Sequence, residues 1–275
     1  LLLDGVGRAF LLLAAMLWGA AGLYAAAAPQ HHRARFQGAW LVLMAGNFLL
    51  AASRDPVLFL VGFAVVGLVG YLLVAHEGDA AARRAGNLYL GLAALGEALL
   101  FAGLVGFAVH GATLPHWAVA ALVAGFGIKS GLVPLHLWMP LAYAAMPHPA
   151  GAVMAGSLIN AGLLGWLRFL PLGEAGYAAW GQGLVVAGLV GAFGGVLVGL
   201  GQGRARAVLA YSSISQMGWL IVALGIGLLA PAGWPALQGA VVVFAVHHGL
   251  TKGTLFLAAG GAARAAGTTA RALAA

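Results

Sequence analysis

Two lysines and one glutamate stand where side chains of their kind are expensive to keep. Lys129, Lys252 and Glu97 each fall inside an apolar segment of the 275-residue chain, and a charge at bilayer depth costs ~2.5–3.5 kcal/mol or more. Such groups survive where water or polar partners reach them, and an amine or carboxyl held in that setting can bind and release protons. His248 and Lys252 are four residues apart and share one helix face, a spacing fit for a proton relay. His247 and His136 complete the set of titratable candidates, and Asn160 adds neutral hydrogen-bonding capacity of the kind that serves helix packing.

Each candidate has a plainer reading. Lys129 could snorkel or sit in a structural ion pair, Glu97 could make a structural hydrogen bond, His247 could be a packed core histidine, and His136 could be merely interfacial. Metal binding by His247 and His248 is disfavoured, because helix neighbours diverge by about 100° and no cysteine or carboxylate accompanies them. Glycine-rich phosphate loops, nucleophile elbows and paired carboxylates do not occur, so the sequence offers no catalytic residues for hydrolysis or phosphoryl transfer.

The elements that must position these groups are membrane helices. Hydrophobic residues make up 63% of the chain and charged residues 7%, against about 25% charged in a soluble domain. The 44 glycines suit close helix packing in lipid, and the lack of cysteine excludes disulfides and thiolate ligands. Net charge is +7, but its distribution argues against nucleic acid: the eleven arginines fall at segment ends or in short loops, while both lysines fall inside spans. Hydropathy predicts about nine spans, near 5–28, 38–53, 56–75, 87–109, 117–133, 150–170, 177–200, 207–229 and 236–259. The second is short and the fifth interrupted. Gly131 and Pro134 follow Lys129 closely and predict that this helix breaks just beyond the lysine. An outside start places eight arginines on the inner side against three outside. Trp18, Trp40, Trp117, Trp138, Trp180 and Trp234 fall near predicted ends, where interface anchors belong. Leu1 opens almost directly into a hydrophobic segment, which predicts truncation or processing at that end.

Four stretches carry a resemblance over nearly the whole chain: GFGIKSGLVPLHLWMPLAYAAMPHPAG, AGSLINAGLLGWLRF, RAVLAYSSISQMGWLIVALG and VHHGLTKGTLFLAAG. They resemble the antiporter-like, proton-translocating subunits of respiratory complex I, a family shared with membrane-bound hydrogenases and multisubunit sodium/proton antiporters. The resemblance implies an all-α polytopic bundle with a discontinuous helix, part of an inverted-repeat architecture, and a polar axis along the membrane midplane. Residues 1–275 would form a single membrane domain like helices three to eleven of the family, truncated at both ends. Lys129 matches the buried lysine of the first broken helix, and His248 with Lys252 matches the histidine and lysine that continue the axis. Two departures stand out. Where the family has a glutamate partner for its first lysine this chain has Ala64, and where it has a further lysine this chain has Asn160. Glu97, on the next helix, is the expected substitute partner of Lys129.

The implied function is a non-catalytic proton-translocating subunit of a redox-driven oxidoreductase complex, of the NADH:quinone oxidoreductase or hydrogenase kind. The alternatives are a subunit of a cation/proton antiporter, with sodium as the coupled ion, and a non-conducting structural subunit. The chain itself is expected to hold no cofactor, with quinone, flavin and iron–sulfur clusters confined to partner subunits. Its expected setting is the lipid bilayer of a bacterial or archaeal cell membrane, among other membrane subunits.

Overall fold

A computed structural model describes residues 3–27, 32–111 and 113–274. Regular structure among the described residues is all helical, in eleven α-helices: α1 (Gly5–Ala27), α2 (Arg33–Ala52), α3 (Pro56–Val74), α4 (Ala80–His110), α5 (His116–Ser130), α6 (Trp138–Ala145), α7 (His148–Val153), α8 (Asn160–Phe169), α9 (Ala178–Leu200), α10 (Ala205–Leu229) and α11 (Trp234–Ala274). A π-helical turn over Met154–Leu158 joins α7 to α8 as one span. Seven of the nine expected spans are long and apolar enough to cross a membrane unaided. The exceptions are α2, which is long enough but less apolar and opens on Arg33 and Arg35, and α5, which the break limits to 15 residues.

Capping accounts for three of the six acidic residues. Asp4 accepts a hydrogen bond from the Gly7 amide at 2.6 Å, Asp55 from Leu58 at 2.9 Å and Asp79 from Ala82 at 2.6 Å, each satisfying an orphan N–H at a helix start. The Asp79 cap explains why α4 begins seven residues before its hydropathic span: Arg83 and Arg84 are helical but not apolar. Glu97 remains the acidic residue within a span.

The span over His148–Phe169 is the hub, almost entirely buried and packed against α1, α2, α5 and α11. Close approach is achieved by small residues. A Cβ on Gly156 would lie 2.7 Å from the Gly249 carbonyl of α11, and α9 packs on α10 the same way, with Gly188 2.7 Å from the Gly218 carbonyl.

The two kinds of arginine cluster lie apart. Arg168, on α8, donates to the carbonyls of Leu50 at 2.6 Å, of Ala51 at 2.8 Å and of Ser53, closing the C-terminus of α2, and pairs with Asp4 at 3.7 Å. Asp4 also pairs with Arg54 at 3.6 Å. Elsewhere, Arg84, Arg204 and Arg206 line a polar cavity with Glu77, Asp79 and His148.

The tryptophans correct the expectation of a belt. Trp117 is exposed, but Trp18, Trp40, Trp138 and Trp234 are buried, and two find internal acceptors: Trp18 donates to Asn47 at 2.9 Å and Trp138 to the Ile128 carbonyl at 2.7 Å. An indole near a span end can turn toward protein as readily as toward headgroups.

Candidate functional site

The break falls where the sequence places it. Helix α5 ends at Ser130, and Gly131 takes φ 75°, the left-handed conformation that closes a helix. Residues 131–137 cross without regular helix before α6 begins at Trp138. The freed Ile128 carbonyl is taken up by the Trp138 indole, so the two halves of the broken span are bonded to each other.

Lys129 occupies the last turn before this break and is 4% exposed. Its ammonium donates to the Tyr89 hydroxyl at 3.0 Å, and that hydroxyl donates to the Val66 carbonyl at 3.2 Å, tying α5 to α4 and α3. The Tyr89 and Trp138 rings lie 5.2 Å and 5.9 Å from the ammonium, close enough for cation–π attraction in a dry setting.

Glu97 lines the same cavity as Lys129, together with Gly67, Tyr89, Ala93, Gly125 and Trp138. The two groups share this cavity without an ion pair within 4.0 Å between them. Both carboxylate oxygens are buried without a hydrogen-bond partner among the described residues. The cavity is small, ≈ 10 Å³, about the least that can hold a single water. A Cβ at Gly67 would lie 2.8 Å from Glu97 Oε1. Gly67 stands one turn beyond Ala64 on α3, so the carboxylate reaches this region from α4 across a bare stretch of the helix that lacks one.

A second buried group lies on α11. Lys252, 2% exposed, donates to the Leu209 carbonyl of α10 at 3.3 Å, an acceptor it shares with the Ser213 hydroxyl at 3.1 Å. His248, one turn earlier, is 3% exposed, and its Nε2 has no hydrogen-bond partner among the described residues. His247 points elsewhere: it is exposed on the chain's surface, not packed in the core.

Asn160 hydrogen-bonds within its own span and to neither lysine. Its amide donates to the Gly156 carbonyl at 2.8 Å, beside the crossing with Gly249 of α11, and its Oδ1 is buried without a partner among the described residues. It sits just after the π-helical turn, a local widening often found at functional positions. His136 lies half-buried in the break, outside the residues lining the Lys129 cavity. No cluster of three or more metal-ligating side chains occurs among the described residues.

Sequence reasoning missed Tyr89 and Trp138 as partners of Lys129. Tyr89 is an aromatic in an apolar run, and only the register of α4 against α5 reveals its role.

Comparison with known proteins places the sequence and fold in a family. Residues 53–274 match the family described as NADH:quinone oxidoreductase/Mrp antiporter, TM. Hydrogenase-4 component B of Escherichia coli is 29% identical over 80% of this chain and 36% of its own length. NAD(P)H-quinone oxidoreductase chain 4 2 of Thermosynechococcus vestitus is 28% identical over 94% of this chain and 51% of its own. A chain of the Mrp complex from Dietzia sp. DQ12-45-1b shares the fold, with TM-score 0.81 and 21% identity over 92% of this chain and 29% of its own. The chain spans about half the length, or less, of these relatives. It is an integral membrane, antiporter-like chain, and it belongs to the NADH:quinone oxidoreductase/Mrp antiporter membrane family.

Proposed function

We propose that this chain conducts protons within a multisubunit, redox-driven membrane complex. The observation that carries the reading is a buried amine, Lys129, sharing a cavity sized for one water with the acidic residue found inside a span, Glu97. Burial couples the charge states of such a pair strongly, so a charge arriving nearby shifts a proton from one site to the next. Glu97 tunes Lys129 in place of a carboxylate at Ala64. Asn160, unable to titrate, positions water beside His248, and Lys252 receives the proton on α11. His136 serves the approach through the break. Redox groups reside in partner subunits, as the complexes named for its relatives suggest, and this chain lies in a bacterial or archaeal cell membrane.

Two observations favour a non-conducting reading, the neutral residues Ala64 and Asn160. Sodium coupling fits less well, because a hard cation takes about six oxygen ligands and Glu97 is a single carboxylate. Proton flux in vesicles carrying the assembled complex, compared for the parent, Lys129→Ala and Lys252→Ala, decides. Loss of flux in both variants supports conduction through this chain; parent-like flux in both supports a structural subunit. Flux that requires sodium assigns the antiporter reading.

A further inference from the structure

Tyr143 belongs to neither lysine group and stands between them. It lies on α6, the short helix after the break, and is 0% exposed. Its hydroxyl is buried with no hydrogen-bond partner among the described residues. One ring contact is edge-on to Trp138 at 6.1 Å, the same indole that covers Lys129. The other is edge-on to Phe256 at 5.4 Å, one turn beyond Lys252 on α11. The same indole is edge-on to Tyr89 at 5.2 Å, and Tyr89 holds the Lys129 ammonium. The residues that follow it, Ala144, Ala145 and Met146, line the polar cavity of ≈ 520 Å³ that carries Glu77, Asp79, Arg84, Arg204 and Arg206.

An unsatisfied hydroxyl in a packed interior is costly, and a packing role alone would be met by phenylalanine. A tyrosine hydroxyl both donates and accepts, so it can pass a proton on while staying neutral. We infer that the Tyr143 hydroxyl is the junction through which protons from the polar cavity reach the buried amines. In each transfer its oxygen accepts a proton from water on the cavity side and releases its own toward Tyr89 and Lys129, or toward Lys252. The ring is unchanged before and after. Tyr143 and Tyr89 thus bring α4, α6 and α11 into one connected route at the break.

The inference rests on the proton-conducting reading, and the test separates the two. Redox-driven proton flux is measured in vesicles holding the assembled complex, normalised to the amount assembled, for the parent, Lys129→Ala, Tyr143→Phe and Tyr143→His. The expected result is loss of flux in Lys129→Ala, at least a tenfold fall in Tyr143→Phe, which keeps both ring contacts, and recovery to within threefold in Tyr143→His. Loss in Lys129→Ala with parent-like flux in Tyr143→Phe overturns the role of Tyr143 alone. Loss in both Tyr143 variants assigns a packing role and overturns it too. Parent-like flux in Lys129→Ala overturns the conducting reading and this inference with it. Should Tyr143→Phe not assemble, Tyr143→His decides: near-parent flux supports the junction, and a tenfold fall overturns it.

Discussion

Replacing Glu97 by glutamine removes a charge and keeps the shape, so it isolates what the carboxylate does for Lys129. The two groups are not in direct ion-pair contact, and a single bridging water would set their polar atoms roughly 5–6 Å apart, two hydrogen bonds end to end. Two unit charges at that separation interact by about 3 kcal/mol at an effective dielectric constant near 20. If between half and all of that difference enters the barrier for moving the proton, the rate falls about ten- to hundredfold. Proton flux in vesicles, divided by the quantity of assembled complex, measures this directly. Glutamine retains hydrogen bonding and volume, so assembly should be unaffected. Flux within twofold of the parent would refute the coupling of Glu97 to Lys129 and leave Glu97 a structural residue.

Three further outcomes follow from the same geometry. Tyr89→Phe keeps the ring beside Lys129 but deletes the hydroxyl that accepts from its ammonium; a hydrogen bond to a charged group contributes about 1.5–3 kcal/mol, so flux should fall at least tenfold at constant assembly. Arg168→Met strips three carbonyls at the end of α2 of their donor and should lower thermal stability in detergent by about 3–5 kcal/mol, read as a drop in Tm with unchanged helicity; an unchanged Tm would show that water caps that end equally well. Gly188→Val drives a side chain into the Gly218 carbonyl at the α9–α10 crossing, so the amount of folded chain in membranes should drop several-fold, whereas Gly183→Val, where nothing lies within 4 Å, should be tolerated.

The break after Lys129 was legible because glycine and proline act locally: Gly131 supplies the left-handed turn, and Pro134 cannot continue the helix. Seven of the nine expected spans were legible for a similar reason, since each span must satisfy its own backbone in lipid. Helix starts were less so. Hydropathy placed the second span at 38–53 and the fourth at 87–109, whereas α2 and α4 begin at Arg33 and Ala80, because polar first turns are helical without being apolar. The sharing of one cavity by Glu97 and Lys129 could be guessed from the lone carboxyl at depth, but its cause is the bare backbone at Gly67, visible only once α3 and α4 are packed. Tyr89, Trp138 and Tyr143 left no mark, since an aromatic in an apolar segment has the same pattern whether it faces lipid or an ammonium. The π-helical turn over Met154–Leu158 was equally silent, being a slip of one residue in hydrogen bonding and not a change in composition.

The central claim is that water joins the buried carboxylate to the buried amine. A density map of the assembled complex at a resolution that shows ordered solvent tests it most directly. A water within hydrogen-bond distance of both Glu97 and Lys129, with further waters leading past Tyr143 toward Lys252, is the predicted result. A dry Glu97–Lys129 cavity, with no polar atoms or waters connecting the two lysines, would contradict it.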